Sequence, residues 1–426
     1  MLKLSEDAHA ELIAATHGHP GRHFLFLQGL PGPFFRRLAA SLRAHGYRTS
    51  RVNFNGGDWW DWRGAPGATN FRGPADAFCV WLDAHIVGQG VTDIILFGDN
   101  RPLHREAIRL CRVRGIPVFV VEEGLLRPNF VSFERGGTNY ASPLPRDLDA
   151  LGRIVAQSGP ETSMVPVASK VRRRIVEAIS YYLCQTLTIP LYPHYRSHRR
   201  NPPLREALAW IRRRIRRRRE VEVSRAAAAE VIGGRFFLFP MQLDGDHQID
   251  AHSDFPDMAS ALDCVFHSFA AHAPQQTCLL VKMHPFDPDI DGWRAIVAAK
   301  AARFGVGGRV RFVERYDLEP LLRAAVGVVT INSTVGPLAL AQSCPVFCLG
   351  RAVYDIPGVT AGCGLGDFWC DPPPVDGGNF ELLCRAMRAT ALVNGGLHDE
   401  HALDLLVEGV TRRLTEPGWA ATSIMA

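Results

Sequence analysis

The sequence predicts an α/β protein with two Rossmann-like domains facing a cleft, on three observations. Apolar runs of strand length alternate with helical periods in two separate series, and an Arg-rich stretch without strand signals lies between them. At 426 residues the chain also exceeds what one hydrophobic core ordinarily serves.

The first series opens with residues 22–29 (RHFLFLQG), a buried-strand pattern, then a Gly-Pro turn and a helical period through Phe34, Phe35, Leu38 and Leu42. Tyr47 to Phe54 is the next expected strand. A helix at 75–88, a strand at 93–98, a helix at 102–114 and a strand at 116–122 follow. From about 151 to 230 the pattern is helical, Arg-rich and punctuated by prolines at 190, 193, 202 and 203, as in an insertion or linker.

The second series starts at Arg235–Pro240. It continues with a helix at 257–272, a strand at 278–283, a helix at 291–304, a strand at 309–314 and a helix at 317–325. A strand at 327–331, a helix at 335–343 and a strand at 345–349 complete it. Expected domains are therefore 1–150, the insertion 151–230, the second Rossmann-like domain 231–378, and a helical segment 379–426 that packs on the first domain by analogy with other two-Rossmann proteins.

Composition is ordinary for a globular protein, with 47% hydrophobic and 21% charged residues. No apolar run approaches the roughly 18 residues of a membrane span, and the first residues lack a signal-peptide pattern, so a cytoplasmic location is expected. The ten cysteines form no CxxC pair and read as reduced thiols; Cys363 and Cys370, near Asp367 and Asp371, lack zinc-site spacing, so no metal is expected. The net charge of +5 is modest, but its arginines concentrate between 172 and 225.

Ligands of open α/β sheets gather beyond the carboxyl ends of strands, and several predicted ends are rich in polar residues. Gln28-Gly29 leads into Gly32, where backbone N–H groups can approach an anion or hydroxyl, or where the chain simply turns tightly. Asn53, Asn55, Gly56, Gly57 and Asp58 precede Trp59, Trp60 and Trp62, the equipment of a sugar site, although any one tryptophan can equally cover the core edge. Glu122-Glu123 end an apolar strand near Arg127. Adjacent carboxylates in a cleft raise one another's pKa and suit acid/base work, with Arg127 as an anion contact; a salt-bridged strand end is the alternative.

Gln242, Asp244, Asp246 and His247 follow the first strand of the second series. Asp246 suits a nucleophile or charge stabiliser, ahead of turn capping and of metal binding, for which no ligand spacing is evident. Lys282-Met283-His284-Pro285 and, about fifty residues on, Asn332-Ser333-Thr334 form the strongest local signal: Lys282 and His284 offer donors to phosphate, and Ser333 and Thr334 sit at an expected helix start. Finally Arg212, Arg213, Arg214, Arg216, Arg217, Arg218 and Arg219 flank Ile215. With Leu204, Leu208 and Ile211 they describe a basic amphipathic helix suited to an anionic membrane surface. Nucleic acid is the rival partner but no recognition motif accompanies the charge, and a solvated helical face is the bland alternative.

Taken in order, Leu27-Gln28-Gly29 with Pro31-Gly32-Pro33-Phe34-Phe35, Val52 to Asp58, Glu122-Glu123-Gly124, Gln242 with Asp246 and Gln248-Ile249, Lys282 to Pro285, and Asn332 to Gly336 resemble the KpsS/LipB-type capsule polysaccharide biosynthesis family. The resemblance implies a GT-B-like, metal-independent, retaining transferase without a cofactor. It would move β-linked Kdo from CMP-Kdo to a phosphatidylglycerol-type lipid at the cytoplasmic face of the inner membrane, with other capsule assembly proteins as partners. It implies that His284, Pro285, Ser333 and Thr334 hold CMP, and it maps an acidic motif to Glu122, Glu123 and Gly124. Related enzymes often carry Glu-Asp where this chain has Glu122-Glu123. Lys282 and Asn332 are placed with the nucleotide. Gln28, Gly29, Asn53, Asn55, Gly56, Asp58, Arg127 and Gln242 are expected on the substrate, and Glu123, Asp246 and Glu122 in catalysis. A sialyl- or UDP-sugar transferase, or a non-catalytic capsule assembly or export adaptor, are the alternatives.

Overall fold

The computed structural model describes residues 21–160, 163–168, 170–197, 201, 203–243, 249 and 252–416. Its first series runs β1 (His23–Phe26), α1 (Phe34–Ala44), β2 (Arg48–Asn53), α2 (Gly56–Trp62), β3 (Ala68–Asn70), α3 (Phe78–Gln89), β4 (Asp93–Phe97), α4 (Pro102–Arg114), β5 (Val118–Glu123) and β6 (Phe130–Arg135). Helices α5 (Leu148–Gln157), α6 (Val171–Leu187) and α7 (Pro203–Ala229) follow.

The second series is β7 (Phe236–Pro240), α8 (Met258–His272), β8 (Cys278–Lys282), α9 (Trp293–Arg303), β9 (Val310–Val313), α10 (Leu318–Ala324), β10 (Gly327–Thr330), α11 (Val335–Leu340) and β11 (Val346–Cys348). After it come α12 (Leu365–Cys370), α13 (Gly377–Thr390), β12 (Leu392–Asn394) and α14 (Glu400–Thr415).

The chain divides into two compact units. One comprises Met1–Pro145, Arg153–His198 and Ala386–Ala426; the other comprises Arg146–Gly152 and Arg199–Arg385. The segment 151–230, expected as one insertion, is therefore shared: α6 packs against α2 in the first unit and α7 against β9 in the second.

The first unit holds a seven-stranded sheet in the order β12-β6-β5-β4-β1-β2-β3, parallel except where β6 pairs with β5 and β12 with β6. Its strand β1 is buried on both sides. Phe24 and Phe26 join Phe35, Leu38, Leu406 and Val410 on one face, while Leu25 and Leu27 join Phe78, Leu82 and Ala107 on the other. Burying each such side chain contributes about 1.5–3 kcal/mol, which is why the run reads as continuously apolar.

Three strands of this sheet were not expected from sequence. β3 and β12 span three residues each, too short to establish a period of two. β6 carries the buried polar residues Ser132 and Glu134, which mask its pattern. The segment after 379, expected as continuous helix, is interrupted by β12, and α14 then packs against α1. Arg22 ties that return in place, with its guanidinium on Asp93 at 2.7 Å and on the Leu414 carbonyl at 2.6 Å.

The second unit holds a five-stranded parallel sheet in the order β11-β10-β7-β8-β9. Its first strand in sequence, β7, lies between β8 and β10, so the connections leave in opposite directions and a switch point opens beyond the end of β7. Phe237 and Phe239 pack into a core with Leu262, Phe266, Phe269 and Trp369. No described helix is long and apolar enough to cross a membrane.

Candidate functional site

In the second unit the switch point gathers the ends of β7, β8 and β10, and with them the residues singled out at 242, 282–285 and 332–334. Gln242 is buried and turned onto Asn332. Its Nε2 donates to Asn332 Oδ1 at 2.8 Å, and its Oε1 accepts the Asn332 backbone N–H at 3.1 Å. This two-way amide pair ties the end of β7 to the end of β10. Gln242 and Asn332 accordingly hold each other's loop in place.

Lys282 closes β8 and is almost fully buried. Its pKa is held below the ordinary lysine value by desolvation first and by the nearby Arg213 charge second, with Asp317 opposing. A desolvated ammonium gains more than an exposed one from an incoming phosphate. His284 follows two residues later, and its Nδ1 accepts the Phe286 backbone N–H at 3.1 Å. That bond places the neutral imidazole's proton on Nε2, making that edge a donor.

The loop after His284 is braced from outside. Arg213 Nη1 donates to the Pro285 carbonyl at 3.1 Å and also to the Asp287 carbonyl. Arg213 is only 2% exposed, so it leaves the set of seven arginines expected at a membrane; Arg212, Arg214 and Arg216 to Arg219 stay exposed. Leu208, Ile211 and Ile215 are exposed with them, and the side chain of Leu204 lies outside the described residues.

Ser333 is shaped by three bonds. Its N–H donates to Thr330 Oγ1 at 3.3 Å, its Oγ accepts from the Val335 N–H at 3.2 Å, and its carbonyl accepts from Tyr354 Oη at 2.6 Å. Gly336 is required here, since a Cβ would lie 2.4 Å from the Tyr354 hydroxyl. Helix α11 has six residues, shorter than the 335–343 expected, with Thr334 at its N-cap. Asp244, Asp246 and His247 lie outside the described residues, so the catalytic assignment of Asp246 has no geometry.

In the first unit the strand ends form a buried polar cluster centred on Asp58, which is fully excluded from solvent. Asp58 Oδ1 accepts from Arg51 Nη2 at 3.1 Å and Tyr181 Oη at 2.9 Å; Oδ2 accepts from the Phe54 N–H at 2.9 Å and Gln28 Nε2 at 3.3 Å. Asn55 caps α2 through Oδ1 and donates from Nδ2 to Tyr181 Oη at 3.0 Å. Gln28 Nε2 also lies 3.0 Å from Tyr181 Oη and 3.1 Å from Tyr195 Oη. Asn53 Nδ2 donates to Asn70 at 3.1 Å, and its buried Oδ1 has no hydrogen-bond partner among the described residues.

Gly56 and Gly57 admit the close packing of α6 and the turn after it: a Cβ would lie 1.9 Å from Thr188 Oγ1 at the first and 2.7 Å from the Tyr181 ring at the second. Gly29 likewise makes room for the Phe35 ring, 3.1 Å from where a Cβ would stand. Trp62 is core, packed on Phe26 with ring centroids 5.4 Å apart, and only Trp59 of the three tryptophans is exposed. Gln28, Asn55 and Asp58 are thus buried and tied together through Tyr181 of α6.

Tyr181 and Tyr195 were not expected from sequence: both sit in the Arg-rich stretch, and the Gly56-Gly57 pair was the signal that something packs closely on α2. Asp61 accepts the Gly32 N–H at 3.1 Å, and its carboxyl is pushed up to about 7, mainly by burial, against the lowering effect of Arg51.

Glu122 and Glu123 are successive residues of β5 and so point to opposite faces of the sheet. Glu122 accepts from Thr138 Oγ1 at 2.7 Å and Asn139 Nδ2 at 3.0 Å. Glu123 is ion-paired on both oxygens, with Arg127 at 2.9 Å and Arg174 of α6 at 2.8 Å. The two carboxylates therefore occupy separate environments on either side of the sheet. Gly124 is needed because a Cβ would stand 2.4 Å from the Phe130 carbonyl oxygen. Among the described residues no group of three or more His, Cys, Asp or Glu side chains is placed to hold a metal ion.

A family model described as capsule polysaccharide biosynthesis protein matches residues 92–397. The capsule polysaccharide export protein KpsS of Escherichia coli is 35% identical over 353 residues, covering 82% of this chain and 90% of that protein. The capsule polysaccharide modification protein LipB of Neisseria meningitidis serogroup A is 33% identical over 388 residues, 89% of this chain and 92% of that one. Among solved structures, KpsC of Thermosulfurimonas dismutans, a beta Kdo 2,7 transferase, aligns over 91% of this chain and 99% of its own with 13% identity and a TM-score of 0.45.

Proposed function

This chain belongs to the capsule polysaccharide biosynthesis family, and from that premise we propose that it is a retaining β-Kdo transferase using CMP-Kdo and a phosphatidylglycerol-type lipid, without a resident metal. The observation that carries the proposal is the convergence of Lys282, His284 and Ser333 at the switch point of the second unit. There the buried ammonium and the Nε2–H edge of His284 meet the donor's phosphate, and the Ser333–Thr334 loop adds hydroxyl donors. The Pro285 carbonyl accepts from Arg213, which braces the loop.

In this mechanism the first unit receives the lipid head group. Asp246 attacks or stabilises the anomeric carbon as CMP leaves, and Glu123 takes the proton of the attacking hydroxyl. Both Glu123 oxygens are ion-paired, so proton uptake requires one guanidinium to move; Arg127, the more exposed of the two, is the one with room. The exposed arginines of α7 add attraction to anionic lipid at the cytoplasmic face of the inner membrane.

Mass spectrometry of the product formed from CMP-Kdo and phosphatidylglycerol tests the proposal. A lipid carrying one added Kdo residue, or a short run of them, is the expected result. Tighter binding of UDP than CMP would favour a UDP-sugar transferase instead. Binding to capsule assembly proteins without any transfer would favour the adaptor role suggested by the E. coli relative's description as an export protein.

A further inference from the structure

Helix α6 is polar where it faces its own unit and apolar where it faces solvent. Its inner face carries Arg173, ion-paired to Glu177 at 2.7 Å and to Glu400 at 2.7 Å; Arg174, paired to Glu123; and Tyr181, bonded to Asp58. Glu177 also meets His398 at 2.9 Å. Its outer face carries Val171, Ile175, Val176, Ile179, Leu183 and Leu187, with exposures from 51% at Val171 and Ile175 to 71% at Leu187. Ile189 and Leu191 continue the exposed apolar surface past the helix end.

This polarity is the reverse of an ordinary surface helix, whose apolar stripe faces the core. A contiguous exposed apolar strip of this kind marks a surface that something covers. Charge identifies the occupant. From residue 170 to 197 the only acidic residue is Glu177, which is turned inward and ion-paired, whereas the exposed Arg172, His194 and Arg196 flank the strip. An apolar strip bounded by cations and free of exposed anions complements the interface of an anionic bilayer, where apolar side chains enter the acyl boundary and cations meet head groups.

We propose that the outer face of α6 docks this chain onto an anionic membrane by insertion of Ile175, Ile179, Leu183 and Leu187. The same helix closes the cluster of Gln28, Asn55 and Asp58 with its inner face. Docking therefore holds the strand ends of the first unit against the head-group layer. The functional consequence rests on the lipid-acceptor reading above, but the docking itself does not.

The full chain carrying Leu183→Trp is mixed with vesicles of phosphatidylcholine alone and of phosphatidylcholine with phosphatidylglycerol. A blue shift and quenching by brominated acyl chains are expected with the anionic vesicles. Ile179→Asp/Leu183→Asp is expected to lower vesicle binding at least tenfold in co-sedimentation while leaving CMP binding unchanged, since both side chains belong to the first unit and the loops at 282–285 and 332–334 to the second. An unshifted emission in the presence of bound vesicles, or undiminished binding of the double variant, overturns the proposal. So does a wild-type dimer in sedimentation velocity that the double variant converts to monomer, because the strip would then be a self-association face. Vesicle binding is read without donor sugar, so loss of Kdo transfer with intact insertion would count against the proposed reaction and leave the docking surface standing.

Discussion

Arg213 donates to the Pro285 carbonyl across the boundary between the Arg-rich helix α7 and the loop that follows β8, at 3.1 Å, and it is buried while its arginine neighbours on the helix are exposed. One residue of a run that looks uniform in sequence is therefore a brace for the loop after β8, while Arg212, Arg214 and Arg216 to Arg219 stay exposed.

Arg213→Met should leave the Pro285 and Asp287 carbonyls without their buried donor, at about 1–3 kcal/mol for each group left unsatisfied. The expected outcome is a lower melting temperature and CMP affinity weakened several-fold by titration calorimetry, with Arg217→Met matching wild type in both. Unchanged CMP affinity in Arg213→Met would separate the brace from the nucleotide.

The Asp58 cluster makes a graded stability prediction. Tyr181→Phe removes one hydroxyl from Asp58 and should cost about 1 kcal/mol. Asp58→Ala strands the buried guanidinium of Arg51 and should cost about 3–5 kcal/mol. Urea denaturation of the two variants checks the order; equal costs would mean that Arg51 is not held by Asp58 in solution.

Asp61 sets a pH dependence with a definite sign. Its folded pKa of about 7 lies above the ordinary 3.8, so between those values the folded chain keeps a proton that the unfolded chain releases. Its contribution therefore falls as pH rises from about 4 to about 7 and is flat above. Glu134, raised to about 8 chiefly by burial, acts in the same direction over a higher window. Asp61→Asn should flatten the lower part of the urea-midpoint profile between pH 5 and 7 and leave the upper part; a profile identical to wild type would show that Asp61 is ionised in the fold.

Glu122 and Glu123 should separate in kinetics because they face different partners. Glu123→Gln is expected to lower the turnover of the proposed Kdo transfer about 10²-fold or more, the usual weight of a proton-transfer group, with CMP binding intact. Glu122→Gln keeps the length needed by Thr138 and Asn139 and should retain most of the turnover. The opposite ranking would move the base to the other face of β5.

The alternating series of apolar strands and helices was legible in the sequence because parallel strands buried on both faces are continuously apolar, as in Phe236–Pro240. So was the position of Lys282, His284 and Ser333 at or just past strand ends, since polar residues there stand out against those runs. Periodicity reports only which way a side chain faces along its own element, and it carries no information about what is packed there. Tertiary structure alone decided that Gly56 and Gly57 admit α6, that Asp58 answers Tyr181 from more than a hundred residues away, and that Glu122 and Glu123 part company. It also decided which arginine of seven turns inward, because burial of one guanidinium depends on two carbonyls brought to it by a loop seventy residues further along the chain.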